Sequence, residues 1–323
     1  MRFRDRSAGA LLLLAFLLFC AGGLSRFVPD DWAGAVVPRF AETLAPWSLA
    51  LGLLIALVAA WLGARKAGPL LALCCLIAAG GLLVTHLRLS LPFASSPAPS
   101  SRIASEAGDI RVMFFNVLFS NKRNAEAIAR MVIQENPDIV IFAEAEGVRP
   151  AFPLLKAHFA YSDICKGELC DPVVFSNLRP KKAESHSLGA MDGKKMFEGT
   201  FETPEGDLSL FGVHMLKPWI SGYAEADRRT LLVLANRSPQ TSLMIGDFNA
   251  PTWSSRLSEI MSKTGFRAMR MPIPTWPAQA GNLGVPIDHA LVRGKTRIVS
   301  ARAVGGDLGS NHRGLLVTLH LGS

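Results

Sequence analysis

The sequence predicts an α/β layered domain that follows three membrane-spanning helices. Three nearly uncharged apolar runs occupy the first 90 residues, and apolar runs alternate with amphipathic segments after residue 109. Half of the 323 residues are hydrophobic and the mean hydropathy is +0.28, which is high for a water-soluble protein. The composition therefore favours a membrane anchor joined to one soluble domain.

The anchor is predicted to cover residues 1–90. Its apolar segments, at about 8–24, 45–64 and 69–87, are long enough, or almost long enough, to cross a bilayer as helices. The first segment alone resembles a signal peptide, because a short apolar core follows basic residues. Two further apolar segments follow closely and favour an uncleaved anchor.

Basic residues near the ends of these segments predict the orientation, because Lys and Arg stay on the cytoplasmic side. Five would lie inside: Arg2, Arg4, Arg6, Arg65 and Lys66. Four would lie outside: Arg26, Arg39, Arg88 and Arg102. This balance predicts a multi-pass protein of a bacterial inner (cytoplasmic) membrane, whose soluble domain faces the periplasm or the cell exterior.

A linker and a compact domain are predicted after the anchor. Residues 91–109 are rich in Ser, Ala and Pro, which is typical of a linker, and the domain then covers 110–321. Within it, Cys165 and Cys170 lie in the polar stretch DICKGELCD. Their spacing fits a small disulfide loop in an oxidising compartment, whereas a zinc site would need more ligands.

The charge of the soluble part does not favour a dedicated nucleic-acid surface. Residues 110–323 contain 25 Lys and Arg residues against 20 Asp and Glu residues, a net charge of +5. These basic residues are scattered, whereas duplex-binding surfaces cluster them in a stripe. Nucleic acid is therefore a possible partner but not the favoured one.

Apolar periodicity and helix-breaking residues predict the elements of the domain in order. Strands are predicted at 110–117, 137–145, 208–215, 241–248, 286–294 and 314–321. Helices are predicted at 124–136, 225–237 and 255–265, the last of them ended by Gly265. Strands interleaved with helices indicate a layered α/β architecture.

Polar residues recur at the ends of these apolar strands. The set is Asn116, Glu144, His214, Asp247 with Asn249, Asp288 and His312. One pair such as Asp247 and Asn249 is typical of a turn, but several such strand ends indicate one pocket along one edge of the sheets. Glu144 and the Asn116 amide suit Mg²⁺, and histidines with an aspartate suit proton transfer. No motif for a Ser or Cys nucleophile accompanies them.

These residues occur in motifs that resemble those of the endonuclease/exonuclease/phosphatase superfamily. The motifs are NV at 116, PDIVIFAE at 137, GVH at 212, GDFNAPTWS at 246, PTWP at 274, PIDHALV at 286 and LGSNHRGLLV at 308. The resemblance implies a four-layer α-β-β-α sandwich and metal-dependent hydrolysis of phosphate esters, an EC 3.1-type activity. The layout of three spans and an outward domain is also similar to a bacterial membrane group that includes proteins linked to teicoplanin resistance.

The resemblance implies roles position by position. Glu144 resembles the main metal ligand and Asn116 its neighbour, with Mg²⁺ as the expected cofactor and Mn²⁺ as the alternative. Asp247 and Asn249 resemble the pair that aligns the attacking water and the phosphate. His312, oriented by Asp288, resembles the catalytic histidine. His214 is similar to the histidine that contacts phosphate or protonates the leaving group.

One position departs from the family pattern. The family usually has Asp before the last histidine, where it helps to bind metal, and this chain has Asn311. We expect Asn311 to keep an oxygen ligand while weakening metal binding by the loss of a negative charge. Two further residues, Lys217 and Tyr161, are expected to contact the substrate phosphate.

Three functions follow from the residues and the resemblance. The first is hydrolysis of a membrane-associated phosphate ester, such as a phospholipid or an isoprenoid phosphate, because an anchor raises the effective concentration of such a substrate. The second is an anchored nuclease that degrades extracellular DNA or RNA. The third is a non-catalytic envelope or resistance factor, which only Asn311 suggests. The sequence does not predict an oligomeric state.

Overall fold

The N-terminal part of the chain forms long apolar helices. The computed structural model describes residues 3–29, 36–92, 108–162, 170–189, 193–220 and 222–322. The helices of this part are α1 Phe3–Phe19, α2 Val36–Thr43, α3 Ala45–Leu62 and α4 Ala67–Leu89. Within the described residues, three segments are long and apolar enough to cross a membrane: Arg4–Phe27, Ala45–Leu62 and Ala67–Leu89. They match the predicted spans, with ends that differ by a few residues.

The rest of the described chain contains two β-sheets and four helices. The strands are β1 Ile110–Asn116, β2 Ile139–Ala143, β3 Val173–Ser176, β4 Pro180–His186, β5 Met196–Thr203, β6 Gly206–His214, β7 Thr241–Asp247, β8 Arg267–Ala268, β9 Asp288–Gly294, β10 Thr296–Val304 and β11 Gly314–Leu321. The helices are α5 Ala125–Glu135, α6 Phe152–His158, α7 Tyr223–Asn236 and α8 Ser255–Thr264. One sheet has the strand order β10-β11-β1-β2-β3 and the other β4-β5-β6-β7-β9-β8.

Two sheets packed face to face and covered by helices confirm the predicted four-layer sandwich. Side chains alternate along each strand, so Val112 and Phe114 of β1 enter the core between the sheets, whereas Met113 and Phe115 face α5 and α6. A third apolar core joins the outer face of the six-stranded sheet to α7 and α8. Each sheet therefore has both faces covered.

Local signals account for the ends of the helices. The Ser254 hydroxyl accepts a hydrogen bond from the Leu257 N–H (3.2 Å) at the start of α8, and Gly265 ends this helix at φ 75°. Asn136 ends α5 in the same left-handed conformation, at φ 48°, and Pro137 follows it. The predicted boundaries of these two helices, 124–136 and 255–265, lie within one residue of those observed.

The anchor continues directly into the domain. Ser90 pairs with Ala268 of β8, and the Leu91 N–H donates to the Ala268 carbonyl oxygen (2.9 Å). Leu91, the first residue of the predicted linker, is buried in the core between the sheets. Residues 93–107, which make up most of that linker, lie outside the described residues.

Gly246 is required by a close approach of two strands. A Cβ at this position would lie 2.0 Å from the carbonyl oxygen of Val213 on the neighbouring strand β6. Because that atom belongs to the backbone, it has little freedom to move aside. The glycine of GDFN therefore lets β7 pack closely against β6 and bring Asp247 to its position.

We expect Gly246→Ala to destabilise the protein by about 2–3 kcal/mol, because the added methyl group overpacks the β6–β7 contact. The measurement is thermal unfolding of the purified full chain in detergent micelles. Gly306→Ala is the matched control, since the nearest atom to a Cβ there is a flexible Arg313 side-chain carbon at 3.3 Å. Equal unfolding midpoints for the two variants would contradict the proposed role of Gly246.

Candidate active site

Two pairs of parallel strands bring four polar residues to one edge of the sandwich. β1 is parallel to β2 in one sheet, and β6 is parallel to β7 in the other. Asn116 ends β1, Glu144 follows β2, His214 ends β6 and Asp247 ends β7. Since carboxyl ends of parallel strands share an edge, these side chains converge where the two sheets meet.

Two antiparallel strands complete this cluster. β9 runs antiparallel to β7 and pairs its first residue, Asp288, with Asp247. β11 runs antiparallel to β1, and His312 lies two residues before its first residue. The starts of β9 and β11 therefore lie beside the ends of β7 and β1, and all strand-end residues predicted from the sequence are together.

Asn116 connects the carboxylates of the two sheets. Its Nδ2 lies 3.2 Å from Glu144 Oε1 and 3.2 Å from Asp247 Oδ2. Glu144 Oε2 also accepts from the Phe119 N–H (2.8 Å), and Asp247 Oδ1 accepts from the Asn249 N–H (2.8 Å). Two carboxylate oxygens that face a single amide define a small, strongly acidic centre.

Two residues of the cluster have left-handed backbones. Glu144 has φ 53° and Asn249 has φ 48°. Such conformations cost on the order of 1–3 kcal/mol and are found at functional sites where the surroundings enforce them. For Asn249, the side-chain Nδ2 donates to the Met215 carbonyl oxygen (2.8 Å), which holds the turn after β7.

His312 is held by Asp288 with one ring nitrogen toward Asp247. Its Nδ1 lies 2.9 Å from Asp288 Oδ2, and its Nε2 lies 3.8 Å from Asp247 Oδ2. The Thr275 hydroxyl accepts hydrogen bonds from the N–H groups of Ile287 (3.3 Å) and Asp288 (3.2 Å). Asp288 is therefore close enough to His312 to orient its ring, as the prediction requires.

Neighbouring charges shift the pKa values of His312 and Asp247. Burial opposes a charge on His312, but the carboxylates of Asp288 and Asp247 outweigh it and raise the pKa of His312 to about 9. Burial and the nearby Asp288 carboxylate raise the pKa of Asp247 to about 6, against the opposing effect of His312 and His214. At neutral pH His312 is therefore protonated and Asp247 is largely ionised.

Asp171 is a member of the site that the sequence analysis did not identify. Its Oδ2 lies 2.8 Å from His214 Nδ1 and 2.7 Å from Lys195 Nζ, and its Oδ1 accepts from the Glu144 N–H (2.9 Å). Asp171 thus orients His214 as Asp288 orients His312. No apolar strand precedes Asp171 in the sequence, so the strand-end pattern did not include it.

Opposite charges shift both members of the Asp171 pair. Burial opposes ionisation of Asp171, but His214 and Lys195 hold the pKa of this carboxyl well below its usual range. Burial likewise opposes a charge on His214, but the Asp171 carboxylate raises the pKa of this imidazole. The site therefore contains two histidines, each paired with its own aspartate, whose Nε2 atoms lie 4.0 Å (His214) and 3.8 Å (His312) from Asp247 Oδ2.

A cavity of about 230 Å³ opens over these residues. Lys217 and Asn311, both predicted as site residues, are among the residues that line it. The complete lining among the described residues is Phe40, Thr43, Asn116, Leu118, Glu144, His214, Lys217, Trp219, Asp247, Asn249, Trp276, Ile287, Asn311 and His312.

Tyr161 does not reach this cavity. Its backbone pairs with Ser176, and Ser176 pairs with Ile139, the first residue of β2. Glu144 follows the last residue of β2, so Tyr161 lies at the opposite end of the strand. The structure therefore does not bring Tyr161 to the cluster with Lys217.

The cysteines are only partly described. Cys170 is disulfide-bonded, whereas Cys20, Cys74 and Cys75 carry free thiols. Cys165 lies outside the described residues, so the Cys165–Cys170 pairing stays a prediction.

The donors present fit a hard divalent cation. Glu144 and Asp247 direct carboxylate oxygens to the same amide, and Asp288 Oδ1 is buried without a hydrogen-bond partner among the described residues. Facing atoms of Asp247, Asp288 and His312 also lie within 4.8 Å of one another, but a protonated His312 is a hydrogen-bond donor and not a metal ligand. Mg²⁺ prefers oxygen ligands, and the carboxylates supply them here, because the Asn116 amide oxygen accepts from the Leu118 N–H (3.2 Å).

We expect Asp171→Asn to destabilise the protein by about 3 kcal/mol, because it removes one partner of a buried ion pair. Asp171 has a lowered pKa, so its contribution is complete above the ordinary value of 3.8 and is lost as the pH falls through the lower folded value. His214 has a raised pKa, so its contribution is complete below 6.5 and is lost as the pH rises through the higher folded value.

The difference in unfolding midpoint between wild type and Asp171→Asn is therefore largest between about pH 4 and pH 6.5. Thermal unfolding of the full chain in detergent across this range provides the measurement. Asp207→Asn is the control, because its pair with Lys181 is exposed and contributes little. A difference that does not vary with pH would show that the Asp171–His214 pair carries no such coupling.

Known structures with the same fold support this description. A humanized D. rerio TDP2 is 14% identical with a TM-score of 0.53, and the match covers 66% of this chain and 99% of that chain. An endonuclease/exonuclease/phosphatase from Beutenbergia cavernae is 16% identical with a TM-score of 0.54, covering 67% of this chain and 72% of that one. A family protein from Leptotrichia buccalis is 13% identical with a TM-score of 0.52, covering 66% and 100%.

No curated protein matches the chain in sequence. The family model described as the Endonuclease/Exonuclease/phosphatase family matches residues 113–312. This region runs from β1 to His312 and includes every strand end of the cluster. Since the match covers more than half of the sequence, this chain belongs to the endonuclease/exonuclease/phosphatase family.

Proposed function

We propose that this chain is a membrane-anchored, outward-facing hydrolase of a phosphate ester that resides in the membrane, such as a phospholipid or an isoprenoid phosphate. The observation that carries the proposal is the composition of the cavity. Its lining combines Asp247 and His312 with Phe40 and Thr43 of α2, a helix that lies between two candidate membrane spans in the sequence. A phosphate centre beside a membrane helix suits a substrate that is itself in the membrane.

The protonation of the site supports hydrolysis by water. Asp247 is ionised at neutral pH and would accept a proton from the attacking water, with Asn249 helping to align the water. His312 is protonated and would donate a hydrogen bond to the phosphate. His214, whose pKa is raised by Asp171, would donate a proton to the leaving oxygen, so the proton removed from water is balanced by one given to the product alcohol.

Glu144 and Asn116, with Asn311 nearby, are the residues that would hold Mg²⁺, or Mn²⁺ as the alternative. When bound, such a cation neutralises negative charge on the phosphate oxygens. Asn311 is neutral where the family usually has Asp, so the acidic centre depends on Glu144 and Asp247.

The positions of the helix ends relative to the domain support the outward orientation. The end of α4 enters the domain at Leu91, and α2, between α1 and α3, packs on α8 through Glu42 and Ser255. Arg4 lies at the other end, where it donates to the Leu62 carbonyl oxygen (3.0 Å). The loop with Arg65 and Lys66 follows α3 at that same end, and this basic end is the one expected in the cytoplasm.

An anchored nuclease is the second candidate. Trp219 and Trp276 line the cavity and could stack on bases, and one relative of the same fold is described as a D. rerio TDP2 complexed with single strand DNA product. However, Lys217 is the only Lys or Arg among the described residues that line the cavity. Strong binding of a nucleic acid requires several such contacts with phosphates, so the lipid substrate is favoured.

We expect the purified full chain in detergent micelles to hydrolyse phosphate esters with Mg²⁺ or Mn²⁺ and to lose this activity in EDTA. Asp247→Asn should lower kcat at least about 1,000-fold, because it removes the proton acceptor for water. The substrates are bis-p-nitrophenyl phosphate, p-nitrophenyl phosphate, phospholipid, isoprenyl pyrophosphate, plasmid DNA and RNA.

Asp207→Asn is the control for this experiment and should keep wild-type activity. Preference for the lipids supports the proposed substrate class, and preference for DNA or RNA supports the nuclease instead. No metal-dependent turnover on any substrate would contradict both and favour the non-catalytic envelope factor.

We expect Asn311→Asp to lower the Mg²⁺ concentration for half-maximal activity by roughly tenfold, the size of effect that a charged neighbour has on a metal site. Titration of activity with Mg²⁺ provides the measurement. Asn236→Asp adds the same charge at an exposed position at the end of α7 and should leave the titration unchanged. An equal shift in both variants would mean that net charge, and not a ligand at Asn311, controls metal binding.

A further inference from the structure

The segment between the first two candidate spans forms one wall of the cavity. Phe40 and Thr43 of α2 line the cavity together with residues of the catalytic domain. The Phe40 ring packs edge-on against the Trp219 ring, with centroids 6.2 Å apart and planes at 66°. A residue of the anchor and a residue of the domain therefore form a joint aromatic wall.

This wall is held rigidly against the domain. Arg39 and Glu42 form an ion pair (3.1 Å) in which each side chain is only 3% exposed. Glu42 Oε1 accepts from the Ser255 N–H (2.6 Å) at the start of α8, where the helix N-terminus favours a negative charge. The Trp253 indole N–H is shared between the carbonyl oxygens of Glu42 and Thr43, both at 3.3 Å. α2 is therefore a fixed part of the cavity.

The cavity is lined by both charged and apolar side chains. Glu144, Asp247 and His312 supply titratable groups, whereas Phe40 and Trp219 supply apolar rings that contact each other. Its volume of about 230 Å³ is smaller than that of pockets that enclose a whole ligand. A phosphate head group would fill it, so the remainder of a larger substrate must leave past the cavity rim, where Phe40 is 46% exposed.

This rim leads toward the candidate membrane spans. Thr43 lies two residues before Ala45, the first residue of α3. Val36 and Val37, on the same short helix as Phe40, are 47% and 73% exposed. Trp47, 43% exposed, packs against Trp253 with ring centroids 5.7 Å apart, and Trp is enriched at membrane interfaces. A hydrocarbon chain that leaves the cavity past Phe40 would therefore enter the bilayer along an apolar surface.

We propose that Phe40 and Trp219 receive the hydrocarbon chain of the substrate and thereby select chain-bearing phosphate esters over soluble ones. This inference rests on the proposed phosphoesterase function and adds a specificity determinant to it. The hydrocarbon chain belongs to an amphiphilic substrate that reaches the site from the bilayer and places its phosphate at Asp247 and His312. Phospholipids and isoprenoid phosphates share this chemistry.

The test compares kcat/KM for long-chain and short-chain forms of each head group in the full-length protein. One pair is dioleoyl- and dibutyryl-phosphatidylcholine, and the other is farnesyl and dimethylallyl pyrophosphate, all in mixed micelles. Phe40→Ala should lower the long-chain to short-chain ratio of kcat/KM by about tenfold, mainly through KM, as expected for the loss of an apolar pocket contact. The pair with the larger change identifies the lipid class.

Phe27→Ala is the matched control, because Phe27 is 73% exposed and does not line the cavity. It should leave the ratio at the wild-type value. Trp219→Ala and the double variant complete a double-mutant cycle. If the two rings form one joint wall, the effects of the two substitutions on the ratio are not additive. The ratio also distinguishes a specific loss from general damage to the anchor, because such damage would lower kcat/KM for the long-chain and short-chain substrates together.

The outcomes separate this inference from the proposed function. Suppose that the wild-type protein hydrolyses both chain lengths. If the ratio is then unchanged in Phe40→Ala, or changes equally in Phe27→Ala, the role of Phe40 and Trp219 in selecting the hydrocarbon chain is refuted and the proposed function is not. A wild-type protein that hydrolyses neither form overturns the proposed function and the inference with it. A ratio that falls in Phe40→Ala and Trp219→Ala but not in Phe27→Ala supports both.

Discussion

The apolar contact between the two sheets is the constraint on which the site depends. β1 and β2 contribute Val112, Phe114 and Ile141 to this core, and β6 and β7 contribute Leu210 and Ile245. All of these side chains are fully buried, so the two pairs of parallel strands have little freedom to slide. Their carboxyl ends are thereby held at one edge, and the polar residues that follow each strand must share one small volume.

Hydrogen bonds across that edge fix the positions of the charged groups relative to one another. The Asn116 amide links Glu144 of one sheet to Asp247 of the other, so the distance between the carboxylates depends on how the sheets pack. His312 and His214, each with a pKa raised by its own aspartate, both approach Asp247 Oδ2. Close opposite charges keep ionised a group of side chains that burial alone would neutralise.

The anchor contributes to the site as well as to attachment. The buried Arg39–Glu42 pair joins the start of α8, and Phe40 meets Trp219 above the acidic centre. The segment that joins the first two candidate spans therefore also shapes the cavity. A soluble version of the domain without α2 would expose a face of Trp219 and lack part of the cavity wall.

The sequence by itself determined the layered fold, the three apolar helices and the strand-end residues, because apolar periodicity and strand-terminal polar residues are local signals. It did not predict β3, β4, β5, β8 or β10, since short or half-exposed strands such as β4, PKKAESH, lack that periodicity. Only the tertiary structure identified Asp171 as the partner of His214 and Phe40 as a wall of the cavity. Both contacts join residues far apart in the chain, and such contacts exist only after the sheets and the anchor have packed.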